Sequence, residues 1–219
     1  VATNRLVIYN GALLLCRQRR LASLTENQES RHDLDLVWND GGVRHCLEQA
    51  QWHFAMRSTR LDYDPGIDPQ WGYRRAFPKP DDWVATSALC VDEYFRSPLL
   101  AYSDEAAYWY ADYDQIYVKY VSDHADWGGD MSKWPYTFVE YVKAYFASRV
   151  VGKLSGDKAV MDYLLHPKTG LVAERLRVAK NRAAMTGPTT FPVTGAWANA
   201  RAGQRSGWKD GGNTGSLIG

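Results

Sequence analysis

Between Pro135 and Gly152 the residues Phe138, Val139, Val142, Tyr145, Phe146 and Val150 recur at spacings of three and four. No other stretch of the chain is so regular. The spacing predicts a long helix with a broad apolar face, which must be covered by other elements before it is stable in water. Pro135 suits the first helical position, where the missing N–H has no intrahelical partner in any case. Gly152 and Gly156 mark the helix end. The partners needed to cover it are present on both sides. Leu6, Ile8, Ala12, Leu13, Leu15 and Cys16 define an amphipathic helix with Asn4 as its N-cap, and Arg17, Arg19 and Arg20 suit the negative end of its dipole. Thr25 with Gln28 forms a capping-box pattern that predicts a second helix, whose apolar stripe runs through Leu34, Val37, Trp38 and Leu47 to Trp52. Gly41-Gly42 interrupts that stripe. Two glycines inside a helix cost roughly 2 kcal/mol relative to alanine, so a break or a close backbone approach is expected there. Further helices are expected over 157–165, capped by Ser155 or Asp157, and over 169–185.

The middle of the chain follows a different period. Phe54–Leu61 reads as a strand, and the stretch 62–72, with two prolines and two glycines, reads as a long turn. Tyr73–Phe77 and Trp83–Val91 read as strands. In 116–121, Ile116, Val118 and Tyr120 alternate with Tyr117, Lys119 and Val121, which is the two-residue period of a strand. The fold class is therefore α+β: helices from the two flanking segments and a central antiparallel β-rich region of four to six strands. Residues 187–219 contain eight glycines, two prolines and few large aliphatic side chains. Such a segment builds no core of its own and reads as an extended C-terminal arm.

At 219 residues the chain is long enough to bury a core without disulfides or metals. Cys16, Cys46 and Cys90 are odd in number and fit no disulfide framework or zinc spacing, so reduced buried thiols are expected. The apolar stretch Leu6–Cys16 is too short to span a bilayer and is interrupted by Asn10 and Gly11, and no secretory leader is evident. The net charge is +1 but unevenly distributed. Residues 61–122 carry 5 basic and 11 acidic side chains, and residues 171–219 carry 7 basic and 2 acidic ones. A balanced total excludes a uniformly basic nucleic-acid-coating protein. The 9 Trp and 14 Tyr favour extensive packing or assembly.

Catalytic signatures are sparse. There is no G-x-S-x-G elbow, Walker A loop, G-x-G-x-x-G or H-E-x-x-H. The run 152–158 resembles a phosphate loop only faintly and reads as a turn between helices. Asp62, Asp64 and Asp68 have the acidic density of a calcium loop, but Ile67 and Tyr73 stand where glycine and a carboxylate are required. Asp112 and Asp114 could share one face of an extended chain as a carboxylate pair for glycoside hydrolysis, although a turn between strands accounts for them more simply. The histidines, His32, His45, His53, His124 and His166, share no helical face. Arg201, Arg205 and Lys209, interleaved with Trp197 and Trp208, suggest either weak, sequence-independent nucleic-acid contact or a flexible arm that folds onto a partner protein. The modest charge favours the arm.

Several motifs occur in the order of a known family. The stretch from Leu6 to Leu13, with Tyr9, Asn10, Ala12 and Leu13, resembles the opening of bacteriophage tail tubular protein A, the head-to-tail adaptor of short-tailed phages. Ser23-Leu24-Thr25-Glu26 is similar to the element that follows it there. Trp38-Asn39, Arg44, Leu47-Glu48, Trp52, Phe54 and Ala55 resemble a further stretch. Tyr73 to Asp82, with Pro78 and Pro80, the strand Tyr117–Val121, and Trp134-Pro135 opening a helix complete the series. The likeness spans about residues 5–186. Cys16-Arg17 stands where many members have Leu-Gly, Gly41-Gly42 where bulkier residues are usual, and Pro80-Asp81-Asp82 lengthens its element.

The resemblance implies a helical bundle from 1–52 and 132–186, a β-rich insertion over 53–131, and a C-terminal arm over 187–219. It implies a structural virion protein at the neck, made in the host cytoplasm, with no enzymatic activity, no cofactor and no membrane association. Its copies would form a twelve-fold ring below the portal protein, seat the tail nozzle or tube, and extend the channel for double-stranded DNA. The arm residues Trp197, Arg201, Arg205, Trp208 and Lys209 would dock on the portal. Asp62, Asp64, Asp92, Glu93, Asp112 and Asp114 would face the channel or a neighbouring subunit. A tail-associated polysaccharide or peptidoglycan hydrolase and a nucleic-acid-binding module are the competing classes.

Overall fold

The computed structural model describes residues 3–69 and 71–186. The arm over 187–219 lies outside them. Within the described residues the chain is α+β, with six α-helices and two three-stranded antiparallel sheets.

The helices are α1 (Arg5–Leu15), α2 (Glu29–Asn39), α3 (Gly42–Glu48), α4 (Tyr136–Leu154), α5 (Lys158–Leu165) and α6 (Leu171–Thr186). Asn4 caps α1 as the sequence predicts, its side chain accepting the Val7 N–H at 2.9 Å. The predicted capping box at Thr25 is not used, and α2 starts at Glu29. Thr25 and its neighbours Ser23 and Glu26 fold a turn instead. The Ser23 and Thr25 hydroxyls bond to each other at 2.9 Å, and Glu26 accepts the Ala22 N–H at 2.7 Å.

Gly41-Gly42 provides both a break and a close approach. Gly41 turns the chain with φ +80°, and a Cβ on Gly42 would lie 2.6 Å from the Val37 carbonyl oxygen and 3.2 Å from the Phe146 ring. Pro135 sits at the N-cap of α4 rather than at its first turn. The run 152–158 is a turn between helices, with Gly156 at φ +59° and Asp157 capping α5 through the Ala159 N–H.

Helix α4 is the organising element. Nine of its side chains are buried, and α1, α2, α3, α5 and α6 pack around it. Phe138 meets Trp52, Phe54 and Trp134 at centroid distances of 4.8, 4.9 and 5.1 Å.

The strands are β1 (Met56–Asp62), β2 (Arg75–Pro78), β3 (Trp83–Cys90), β4 (Ser103–Glu105), β5 (Tyr108–Ala111) and β6 (Gln115–Ser122). They form the sheets β1-β6-β3 and β2-β5-β4. The first strand starts two residues later than the sequence suggests, because His53–Ala55 forms a single 3-10 turn. On β6 the predicted alternation holds: Ile116, Val118 and Tyr120 are fully buried. They join Phe77, Leu89, Leu99, Trp109 and Ala111 in a small second core.

Strand register gives the first sheet two different ends. Met56 opposite Val121 and Trp83 opposite Ser122 define the near end, where Val84 and Val121 enter the large core around α4. Asp62 opposite Gln115 and Cys90 opposite Tyr117 define the far end, away from that core.

Candidate functional site

The far end of the β1-β6-β3 sheet collects the acidic residues nominated from sequence. Asp62 closes β1, and Asp64 lies just beyond it. Asp112 and Asp114 form the turn into β6, and Asp92 and Glu93 follow β3. They come from three separate stretches of sequence, and antiparallel pairing brings them to one place. With Asp68 they make seven carboxylates, against the four guanidiniums of Arg60, Arg74, Arg75 and Arg96.

Most of these carboxylates hold the loops in shape. Asp64 accepts the Gly66 N–H at 2.8 Å, and Asp112 accepts the Arg74 N–H at 2.9 Å. Asp114 pairs with Arg75 at 3.2 Å, and Asp62 with Arg60 at 3.1 Å. Asp92 accepts the Ser97 and Arg96 N–H groups, and the Ser97 bond leads in holding its carboxyl below the usual range. Asp112 and Asp114 stand on an open turn, each committed to a different neighbour, which is the arrangement of turn residues. Among the described residues no group of three or more His, Cys, Asp or Glu side chains is placed to hold a metal ion.

Aromatic side chains share this end. Trp71 is 87% exposed, Tyr94 70% and Tyr113 45%. Isolated exposed apolar side chains are ordinary on soluble proteins, but a set gathered at one end marks a contact surface. The exposed side of α6 presents a second surface of opposite charge. Arg177, Lys180 and Arg182 are exposed there beside Val178 and Met185. None of the three cations pairs with a carboxylate among the described residues. The arm residues Trp197, Arg201, Arg205, Trp208 and Lys209 lie outside the described residues.

Two polar clusters were not singled out in the sequence. Asp82 lies at the near end of the first sheet, where it receives Arg57 at 2.8 Å, the Tyr120 hydroxyl at 3.1 Å and the Ser122 hydroxyl. Burial pushes its carboxyl up, but the bonds from Ser122, Arg57 and Tyr120 outweigh that and leave it below the ordinary value. Burial pushes the Tyr120 phenol up to about 12. Beside it Arg44 donates to Asp123 at 2.7 Å and to the Trp83 carbonyl at 2.6 Å, tying α3 to the sheet. Lys79 is almost wholly covered. Its ammonium lies 2.5 Å from Asp104, 2.9 Å from the Ala106 carbonyl and 4.2 Å from the centre of the Trp83 ring. A lysine after a proline-ended strand gives no sequence sign of burial; the flanking tryptophans are its only signal.

The three thiols are free and buried as expected, and burial raises the Cys16 pKa to about 11. A cleft of about 280 Å³ lies between Trp52, Phe54, Phe138 and α6 residues Ala179, Arg182 and Ala183. Its lining holds His53 and Arg182 but no carboxylate, so it offers no acid pair for glycoside hydrolysis. No helix among the described residues is long and apolar enough to cross a membrane. No protein-family model matches this chain, and no curated protein matches it.

Proposed function

We propose that this chain is a structural adaptor subunit of a short-tailed phage particle. Copies of it form a ring, dodecameric by resemblance, between the portal and the tail nozzle or tube, and the ring extends the channel through which double-stranded DNA passes. In this reading 1–52 and 132–186 form a helical bundle and 53–131 a β-rich module, and the arm over 187–219 reaches to the portal through Trp197, Arg201, Arg205, Trp208 and Lys209. The protein works by contact, without turnover or cofactor, in the neck of the virion.

The observation that carries the reading is the distribution of exposed apolar surface. Trp71, Tyr94, Leu100, Tyr102 and Tyr113 all belong to the β region or its loops, while Tyr136, Tyr163, Leu165, Val178 and Met185 stand exposed on α4, α5 and α6. Large side chains on two regions of one subunit are what a protein with several neighbours requires. The ordered motifs support it too: of their apolar members, Tyr9, Leu13, Leu47, Trp52 and Phe77 are fully or almost fully buried, as fold-defining residues must be, while Leu24 is exposed.

The test is addition of the full chain to purified portal from the same particle, followed by electron microscopy. A new ring of density on the tail-facing side supports the proposal. Portal particles unchanged at any excess of the chain overturn it. Replacing Arg201 and Arg205 with glutamate then tests the arm, with portal binding expected to weaken by about tenfold or more.

A further inference from the structure

The two surfaces of opposite charge on this chain lie on different elements. Helix α6 packs on α4 and α5. Its outward side carries Arg177, Lys180 and Arg182 and one carboxylate, Glu174, around Val178 and Met185, which are 41% and 77% exposed. The acidic, aromatic surface sits at the end of the first sheet that points away from the helical core. One subunit therefore cannot close this contact on itself. Residues 187–219 add three more basic side chains and a single carboxylate, Asp210. Among the described residues the acids of α2, Glu29, Asp33 and Asp35, are paired with Lys153, Arg5 and Arg31, whereas Asp68 and Glu93 at the far end of the sheet make no ion pair, so that end in another copy is the surface complementary to the α6 face.

We propose that the occupant of the α6 face is the sheet tip of a second copy of this chain. Trp71, Tyr94 and Tyr113 of one copy cover Val178 and Met185 of the next, while Asp68 and Glu93 lie opposite Arg177 and Lys180. The contact joins unlike surfaces, so it repeats from copy to copy until the rotation closes a ring. Apolar cover supplies the area, and the charges fix which tip meets which helix. This deepens the adaptor reading and rests on it for the ring, but it assigns the acidic residues to the subunit interface and not to the channel wall.

The test uses the full chain and two double charge reversals, Asp68→Lys with Glu93→Lys at the tip, and Arg177→Glu with Lys180→Glu on α6. None of the four residues makes an ion pair among the described residues, and the bond between Glu93 and the exposed Tyr94 lies at the surface, so both variants should fold, which circular dichroism checks. Sedimentation at low salt should show concentration-dependent assembly of the unaltered chain. Each reversal should weaken that assembly by about tenfold or more. Mixing the two variants should restore assembly with the two chains alternating, because the unaltered tip meets the unaltered α6 face and the reversed tip meets the reversed one. Combining all four reversals in one chain should restore assembly.

An unaltered chain that stays monomeric at low salt, reversals without effect, or a mixture of the two variants that fails to assemble would each overturn the proposal. So would an α6 reversal that abolishes retention of duplex DNA and leaves assembly unchanged, since the face would then serve nucleic acid. The adaptor reading is judged separately, by whether the chain occurs in particles at the copy number of the portal. A portal-matched chain indifferent to the reversals refutes the contact alone, and a chain absent from particles that nonetheless obeys them refutes the adaptor alone.

Discussion

Phe138 and Trp109 are both fully buried aromatic side chains, yet they sit in cores of different kinds. Phe138 lies on a helix with nine buried residues, in a cluster that draws on all six helices and the near end of one sheet. Trp109 lies in a cluster of eight buried residues from short strands and loops. The first core is built mainly from apolar packing, with one polar edge where the Tyr9 hydroxyl donates to Asp35 at 2.7 Å. The second is closed by polar side chains: Trp109 donates to Asp104 at 3.2 Å, and Asp104 in turn holds the covered ammonium of Lys79. Where apolar area is plentiful, stability follows mainly from packing. Where it is scarce, specific charged groups must be buried and paired, and each becomes a point of failure.

The largest effect is expected from Phe138→Ala. Truncating a buried phenylalanine costs about 3–5 kcal/mol, a large part of the stability of a domain. Denaturant melts should show the helical signal lost at much lower denaturant. Unchanged melting would mean that α4 does not organise the fold.

Next comes Lys79→Met, which removes the ammonium and leaves Asp104 with only the Trp109 N–H. A loss of about 1–3 kcal/mol is expected. Tryptophan fluorescence, which reports Trp83 and Trp109 among others, should change at denaturant concentrations that leave the helical signal intact. Simultaneous loss of both signals would erase the distinction between the cores.

A smaller and pH-dependent effect is expected at Asp82. Its folded pKa is below its unfolded value, so the stability it contributes is full above about pH 4 and is lost as the pH falls through the folded value. Asp82→Asn should cost about 1–2 kcal/mol at neutral pH and make the acid limb of the stability curve shallower. An acid limb parallel to that of the unaltered chain would remove Asp82 from the account.

The mildest probe perturbs nothing. Burial raises the pKa of all three thiols, so they should resist alkylation at pH 8 in the folded chain. As denaturant rises, Cys90, which ends β3 next to Leu89 of the smaller core, should be labelled before Cys16 and Cys46 in the larger one, as peptide mapping would show. The reverse order would contradict the ranking of the two cores.

What was legible in the sequence follows the same division. The period of α4, the Asn4 cap, the break at Gly41 and the alternation along β6 were readable, because each rests on local spacing or on one residue's own chemistry. The start of α2 was not, since Thr25 and Gln28 fit a capping box whose neighbours, Ser23 and Glu26, bond within a turn. Strand β4 is three residues, Ser-Asp-Glu, and carries no apolar period at all. The division into two sheets depends on long-range pairing, which local pattern does not encode. The acidic residues of the candidate surface were nominated one by one from sequence, but their gathering at one sheet end is set by register. The helix over 169–185 was legible; that Arg177, Val178 and Met185 face outward on it was not, because a residue on a helix does not announce which way it faces.

The central claim is a subunit that functions by repeated contact in the neck of a particle. Quantitative mass spectrometry of purified virions, comparing this chain with the portal protein, tests it most directly. The account predicts a ratio near one to one that survives mild washing. Absence from the particle, or a few copies shed on washing, would contradict it.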